Sequence, residues 1–99
     1  MAKIEIIIYG DPSHIIHTKK EGFINTKKIF QIIQKNEKYK NIQEEQIEFI
    51  RYLTKINNQK NEAWVLLNEN DILKIENDLK ILVQLDDETP KEYKERQRN

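Results

Sequence analysis

The chain has 99 residues and a mass of 12.0 kDa, which is the size of a single domain. Seventeen basic side chains balance seventeen acidic ones, and this formal net charge of zero argues against a general polyanion binder. The absence of cysteine from the sequence excludes disulfides, thiolate catalysis, zinc fingers and iron–sulfur clusters.

The N-terminal segment is predicted to form two strands. A run of β-branched residues over 3–9 has the length and composition of a strand, and it ends in a cluster of turn-forming residues at 10–13. Residues 14–18 are again rich in β-prone side chains. We therefore expect a strand over 3–9 and a second strand over 14–18 that returns beside it as a hairpin.

A helix is predicted over 26–36, because the apolar residues change their spacing after Asn25. Ile29 and Ile33 recur at the helical period, while lysines and glutamines fall between them. Asn25 or Thr26 supplies a side-chain oxygen that accepts a hydrogen bond from the first helical turn.

A second helix is predicted over 42–57. Asn41 and Glu44 have the spacing of a capping box, and the glutamates near the start of the segment favour the positive end of a helix dipole. Five apolar residues then line one helical face: Ile42, Phe49, Ile50, Leu53 and Ile56. This pattern predicts a helix that packs its apolar face against the sheet.

The second half of the chain is predicted to contain two more strands, over 62–67 and 79–85. The first is a buried apolar run, and the second alternates apolar with polar residues. The intervening stretch 68–80 allows a short helix or a strand that turns at Asn77-Asp78. The helix is favoured, because asparagine and aspartate without glycine make a poor two-residue turn.

These elements together predict an α+β fold in which a small, mostly antiparallel sheet has both central helices packed on one face. The predicted domain comprises residues 1–87, with no internal repeat and no linker. Residues 88–99 are predicted to be a charged C-terminal tail, in which Thr89-Pro90 has the pattern of a short helix start.

The sequence contains one combination of residues suited to a metal ion, namely Asp11, His14 and His17. On a strand, residues three apart point to opposite faces, so the two histidines converge only if Pro12 begins a helical turn. Ser13 lacks the glycine-flanked turn of a catalytic serine. We therefore predict no metal, no cofactor and no catalytic residue, and a protein that is not an enzyme.

The charges are segregated along the chain. Residues 17–40 hold seven lysines and two glutamates, a balance of +5, whereas residues 62–88 hold eight acids and two lysines, a balance of −6. Aromatic side chains lie among the lysines, as they do in many binding surfaces. We predict a partner-binding surface formed by Lys19, Lys20, Lys27, Lys28, Lys35 and Tyr39.

The expected function is binding to another protein or to a second copy of the chain. The alternative is a nucleic-acid-binding regulator that uses the same lysines, although glutamates open the second predicted helix where a recognition helix should approach phosphates. Isoleucine, lysine and asparagine make up 41 of the 99 residues, and their codons indicate an AT-rich bacterium, phage or mobile element. We expect a cytoplasmic accessory or inhibitory factor, such as an anti-defence protein, that acts on a host protein complex and not on a membrane.

Overall fold

The computed structural model describes residues 1–55 and 61–86, and within these ranges the chain is mostly β-sheet with one α-helix. The strands are β1 (Ala2–Ile8), β2 (Asp11–Lys20), β3 (Gly22–Ile24), β4 (Ile47–Lys55), β5 (Glu62–Leu66), β6 (Leu73–Ile75) and β7 (Leu79–Leu85). Helix α1 spans Thr26–Gln34, and two 3₁₀ turns span Glu37–Tyr39 and Glu44–Gln46. In these described ranges neither α1 nor the 3₁₀ turns have the length and apolar character of a bilayer-crossing helix.

Five strands form one sheet in the order β2-β1-β7-β4-β5. β1 runs parallel to β7, whereas the pairs β1–β2, β4–β7 and β4–β5 are antiparallel. The short strands β3 and β6 pair with each other in a separate two-stranded sheet. Among the described residues, β2 and β5 are therefore the two edges of the large sheet.

The core lies between α1 and one face of the large sheet, which we call the inner face. Because side chains alternate along a strand, Ile4, Ile6 and Ile8 of β1 all point to this face and are buried. Ile29 and Ile33 of α1 are fully buried against the same core. The buried apolar residues are Ile4, Ile6, Ile8, Ile16, Ile24, Ile29, Ile32, Ile33, Tyr39, Ile50, Leu67, Ile81 and Val83. The opposite side of the sheet is called the outer face.

Helix α1 begins at the predicted place and ends two residues earlier than predicted, at Gln34. Asn25 is its N-cap residue, and the Asn25 side-chain oxygen accepts a hydrogen bond from the Lys28 backbone N–H at 2.9 Å. Such a cap satisfies one of the free donors of the first turn and contributes about 1 kcal/mol to helix stability.

The predicted second helix over 42–57 is wrong, and with it the expectation of two central helices on one sheet face. Only the 3₁₀ turn Glu44–Gln46 is helical, and Ile47–Lys55 is strand β4. β4 lies between β7 and β5, with Ile50 buried on the inner face and Phe49 exposed on the outer face. A strand with apolar residues on both faces produces the spacings of three and four residues that otherwise indicate a helix. The last two residues of the predicted helix lie outside the described ranges.

The helix favoured for 68–80 is also wrong. Leu73–Ile75 forms strand β6, in which Leu73 and Ile75 are half-buried while Lys74 is exposed. β6 pairs with β3 and not with the following strand β7, so no hairpin forms at Asn77-Asp78. The predicted tail at 88–99 lies outside the described residues.

We expect Ile6→Ala to lower the free energy of unfolding by about 2–5 kcal/mol, because it opens a cavity beneath α1. Ile6 is 0% exposed, whereas Ile72 is 69% exposed. Ile72→Ala removes the same atoms from a solvated position and should cost less than about 0.5 kcal/mol. Urea unfolding followed by circular dichroism measures both values, and equal losses would contradict the assigned core.

Candidate functional site

The predicted lysines lie on two elements. Lys19 and Lys20 are the last residues of the edge strand β2, Lys27 and Lys28 lie in the first turn of α1, and Lys35 caps the C-terminal end of that helix. All five are exposed or partly exposed, and none of them takes part in the ion pairs found within the described residues. Their predicted binding role stays a prediction.

Tyr39, the sixth predicted binding residue, faces the interior. Its side chain is 9% exposed, and its hydroxyl donates a hydrogen bond to Asp11 Oδ2 at 2.5 Å. The Tyr39 ring also meets the His14 ring edge-on, with 5.9 Å between the ring centroids. The structure therefore does not bring Tyr39 together with the exposed lysines.

The turn between β1 and β2 is held by a polar cluster, which we call the Asp11 cluster: Asp11, His14, Asn36, Lys38 and Tyr39. Lys38 Nζ donates to Asp11 Oδ2 at 2.5 Å, beside the hydrogen bond from Tyr39. His14 Nε2 lies 3.2 Å from Asn36 Oδ1. These contacts join the start of β2 to the 3₁₀ turn that follows α1, so the cluster fixes local structure.

The surroundings of the Asp11 cluster shift the pKa values of Asp11 and Tyr39 in opposite directions. The hydrogen bond from Lys38, followed by the one from Tyr39, holds the pKa of the Asp11 carboxyl below its usual value. Burial raises the pKa of the Tyr39 phenol, and the hydrogen bond to the Asp11 carboxylate raises it further. Each state is the one that suits the observed hydrogen bond, a carboxylate that accepts and a phenol that donates.

The two histidines do not converge. His17 is paired with Glu5 across the β1–β2 ladder and is exposed on the outer face, whereas His14 lies on the inner side within the Asp11 cluster. Residues 1–55 and 61–86 contain no group of three or more side chains placed to hold a metal ion.

The outer face of the sheet carries one mainly apolar row, next to a row that contains Glu5, His17 and Lys80. Strand register aligns Ile15 with Ile7, Ile7 with Leu82, Leu82 with Arg51 and Arg51 with Leu66, so one row crosses all five strands. Four of these five side chains are aliphatic. We call the whole set the outer apolar surface, and its members are Ile7, Ile15, Phe49, Leu53, Trp64, Leu66 and Leu82.

Several members of the outer apolar surface are open to solvent. Phe49 is 43% exposed, Trp64 is 41% exposed and Leu66 is 43% exposed, although each belongs to a strand of the sheet. The Arg51 guanidinium lies 5.2 Å from the centroid of the Phe49 ring, which helps to hold that ring on the outer face. No described helix covers this side of the sheet, since α1 packs on the inner face.

The edge strand β5 leaves a set of backbone groups unpaired within the described residues. The Leu67 N–H donates to the Ile50 carbonyl at 2.8 Å, and the register continues from this pair into the β4–β5 ladder. Because hydrogen-bonded and non-hydrogen-bonded pairs alternate in an antiparallel ladder, Val65 points its backbone groups toward β4. The backbone N–H and C=O groups of Trp64 and Leu66 therefore point away from β4, along the free edge.

An acidic cavity lies beside the C-terminal end of β5, with a volume of about 460 Å³. Buried Ile50 and Leu67 form part of its apolar wall. The complete lining consists of Thr26, Glu44, Glu45, Ile47, Glu48, Ile50, Leu67 and Glu69. Four of these eight side chains are carboxylates and none is basic, so the surroundings of this edge favour a positively charged neighbour.

Sequence reasoning located the charged segments but missed the outer apolar surface and the free edge. The uncharged run 63–66 was visible in the sequence, yet it was interpreted as a buried strand. Whether a strand is central or at an edge depends on the strand order, which local patterns do not contain.

Comparison with known proteins finds no match: no family model, curated protein or solved structure matches this chain.

The lowered pKa of Asp11 predicts a pH-dependent contribution to stability. A carboxyl whose folded-state pKa is depressed stabilises the fold above its unfolded pKa, near 3.8, and that contribution is lost as the pH falls through the folded value. We expect Asp11→Asn to be less stable than the wild type at pH 6 and to approach it as the pH falls toward 2. Urea midpoints measured across this range test the expectation, and a constant difference between the two proteins would contradict it.

Proposed function

We propose that this chain is a small non-catalytic protein-binding module and that the outer apolar surface is its docking surface. One observation supports this proposal most directly: a row with four aliphatic side chains and Arg51 crosses five strands on a face that no described helix covers. Antiparallel sheets with one solvated face usually place polar side chains on that face. Contiguous exposed apolar patches on small proteins mark interaction sites.

The aromatic members of this surface support the same proposal. Phe49 and Trp64 lie on the neighbouring strands β4 and β5, and Trp64 is paired with Leu53 across the β4–β5 ladder. Large aromatic side chains contribute much of the binding energy at protein interfaces, since they bury a large area at low entropic cost. The occupant that fits this surface is a segment of another protein.

The charged residues have a supporting role in the proposal. The exposed lysines of α1 and of the end of β2, together with the carboxylates of the acidic cavity, give the molecule surface charges of both signs. Such surfaces steer the encounter and select among partners more than they determine affinity. The high content of isoleucine, lysine and asparagine, whose codons are AT-rich, is in keeping with an accessory or inhibitory factor of a bacterium, phage or mobile element that acts on a host complex in the cytoplasm.

We expect Phe49→Asp to raise the dissociation constant for the natural partner at least tenfold, which corresponds to about 1.4 kcal/mol. The partner is first identified by affinity purification from the native host, with and without nuclease, and mass spectrometry. Calorimetry with the purified partner then measures the affinity of each variant.

Gln31→Asp is the matched control, since it introduces the same side chain on the exposed side of α1. It should leave the affinity within about twofold of the wild type. If Gln31→Asp abolishes binding while Phe49→Asp does not, the docking surface is on the helix side. The proposal would then be wrong in its choice of face.

Nucleic-acid binding is the second candidate function, favoured by the exposed lysines of α1 that form no ion pair within the described residues. A phosphate-binding surface weakens with salt at a slope near one per phosphate contact. Under the protein-binding proposal we expect no shift of DNA or RNA in electrophoresis at about 50 mM salt. The double variant Lys27→Glu with Lys28→Glu should also retain the protein partner. A salt-dependent shift that this variant abolishes would favour the nucleic-acid function instead.

A further inference from the structure

Among residues 1–55 and 61–86, no strand pairs with the outward side of β5, which lies beside the outer apolar surface. We propose that a segment of the partner protein adds to this edge as a further β-strand, and that this segment alternates apolar and basic side chains. The inference rests on the proposed function, because it specifies the partner of the same surface.

Two residues of β5 have backbone groups oriented to form hydrogen bonds with a further strand. Trp64 and Leu66 direct their N–H and C=O groups along the free edge, while Val65 uses its own groups to bind β4. An added strand would satisfy these groups through main-chain hydrogen bonds, which is how many domains recognise extended peptides.

The two edges of the sheet differ in their protection. β2 contains Pro12 and ends in Lys19 and Lys20, and the β1–β2 register shifts at Ile7/Ile8. Proline, lysine and irregular register are the features that natural proteins use to block pairing at an edge. β5 contains none of them over residues 63–66. This contrast identifies β5 as the edge that is available to a partner strand.

Side chains of an added strand would alternate between the two faces of the sheet. On the outer face they would extend the row that ends at Leu66, next to Trp64, where apolar residues fit. On the inner side they would lie next to Val65, which is 37% exposed, and near the acidic cavity. A lysine or arginine suits this second position, because its aliphatic stem packs on apolar surface while its charge meets the carboxylates.

The same charges disfavour a second copy of the chain as the occupant. In an antiparallel pair of two β5 strands centred on Trp64, Glu62 of each copy would lie opposite Leu66 of the other. On the inner face, Val65 of each copy would lie opposite the uncharged Ala63 of the other, so no basic side chain would meet the carboxylates of the acidic cavity. A basic segment complements these carboxylates, which a second copy does not, so the basic segment fits this edge better.

The test uses two synthetic seven-residue peptides with blocked ends and the full-length protein labelled for NMR. One peptide alternates lysine with valine, and the other alternates glutamate with valine. We expect the lysine peptide to shift the backbone amides of Trp64 and Leu66 and to slow their exchange with deuterated water at least about tenfold. The glutamate peptide should leave these amides unchanged.

Leu66→Pro and Leu66→Ala form a matched pair. Both remove most of the leucine side chain, but only proline removes the N–H that faces the free edge, and it leaves the hydrogen bonds to β4 in place. Leu66→Pro should bind the lysine peptide at least about tenfold more weakly than Leu66→Ala. If Leu66→Pro does not fold, Glu62→Pro and Glu62→Ala repeat the comparison at the first residue of β5, where the N–H also faces outward.

Three results would overturn strand addition by a basic segment. They are equal binding of the proline and alanine variants, binding of neither peptide, and self-association of the free chain in light scattering that Leu66→Pro abolishes. None of these results contradicts the proposed binding of a natural partner through the outer apolar surface. If that partner still binds through Phe49, the protein-binding function stands and only the mode of binding is wrong.

Discussion

The parallel pairing of β1 with β7 in the middle of the sheet is the contact on which the rest of the fold depends. Ile4, Ile6 and Ile8 align with Leu79, Ile81 and Val83, and all but Leu79 are buried beneath α1. The Lys3 N–H extends this contact by donating to Asp78 Oδ1 at 2.9 Å. β2 attaches to β1, β4 attaches to β7, and β5 attaches to β4. Because the two central strands come from opposite ends of the described chain, the core forms only after a large loop has closed.

The exposed surface follows from this arrangement and from the presence of a single helix. An α-helix is about 10 Å wide, whereas five strands about 4.8 Å apart make a sheet about 19 Å wide. α1 therefore covers the central strands and leaves β5 without cover even on the inner face, where Val65 is 37% exposed. On the outer face, no described helix covers the sheet as α1 does on the inner face. The exposure of the outer apolar surface is thus a consequence of how little helix the described residues place on the sheet.

The sequence predicted the elements whose signals are local. The β-branched run of β1 and the cap at Asn25 depend only on near neighbours, and both are present in the structure. β4 was interpreted as a helix, because Phe49 and Leu53 face outward while Ile50 faces inward, which removes the period-2 pattern of a half-buried strand. A strand in the region of β6 was only the less favoured alternative to a helix, because three residues carry little periodicity and the partner strand β3 lies about 50 residues earlier. The free edge of β5 could not be predicted from composition or from hydrophobic periodicity, because it depends on the strand order of the whole sheet.

The unequal protection of the two edges also bears on head-to-tail pairing between copies of the chain. β2 is the basic edge and β5 is the edge with acidic surroundings, so β2 of one copy would complement β5 of the next in charge. That contact is head-to-tail, and a head-to-tail contact that does not close propagates into a filament. Pro12 and the register shift at Ile7/Ile8 interrupt the β2 edge, while Lys19 and Lys20 add charge to it. These features of β2 disfavour head-to-tail pairing, although β5 has no pairing partner among the described residues.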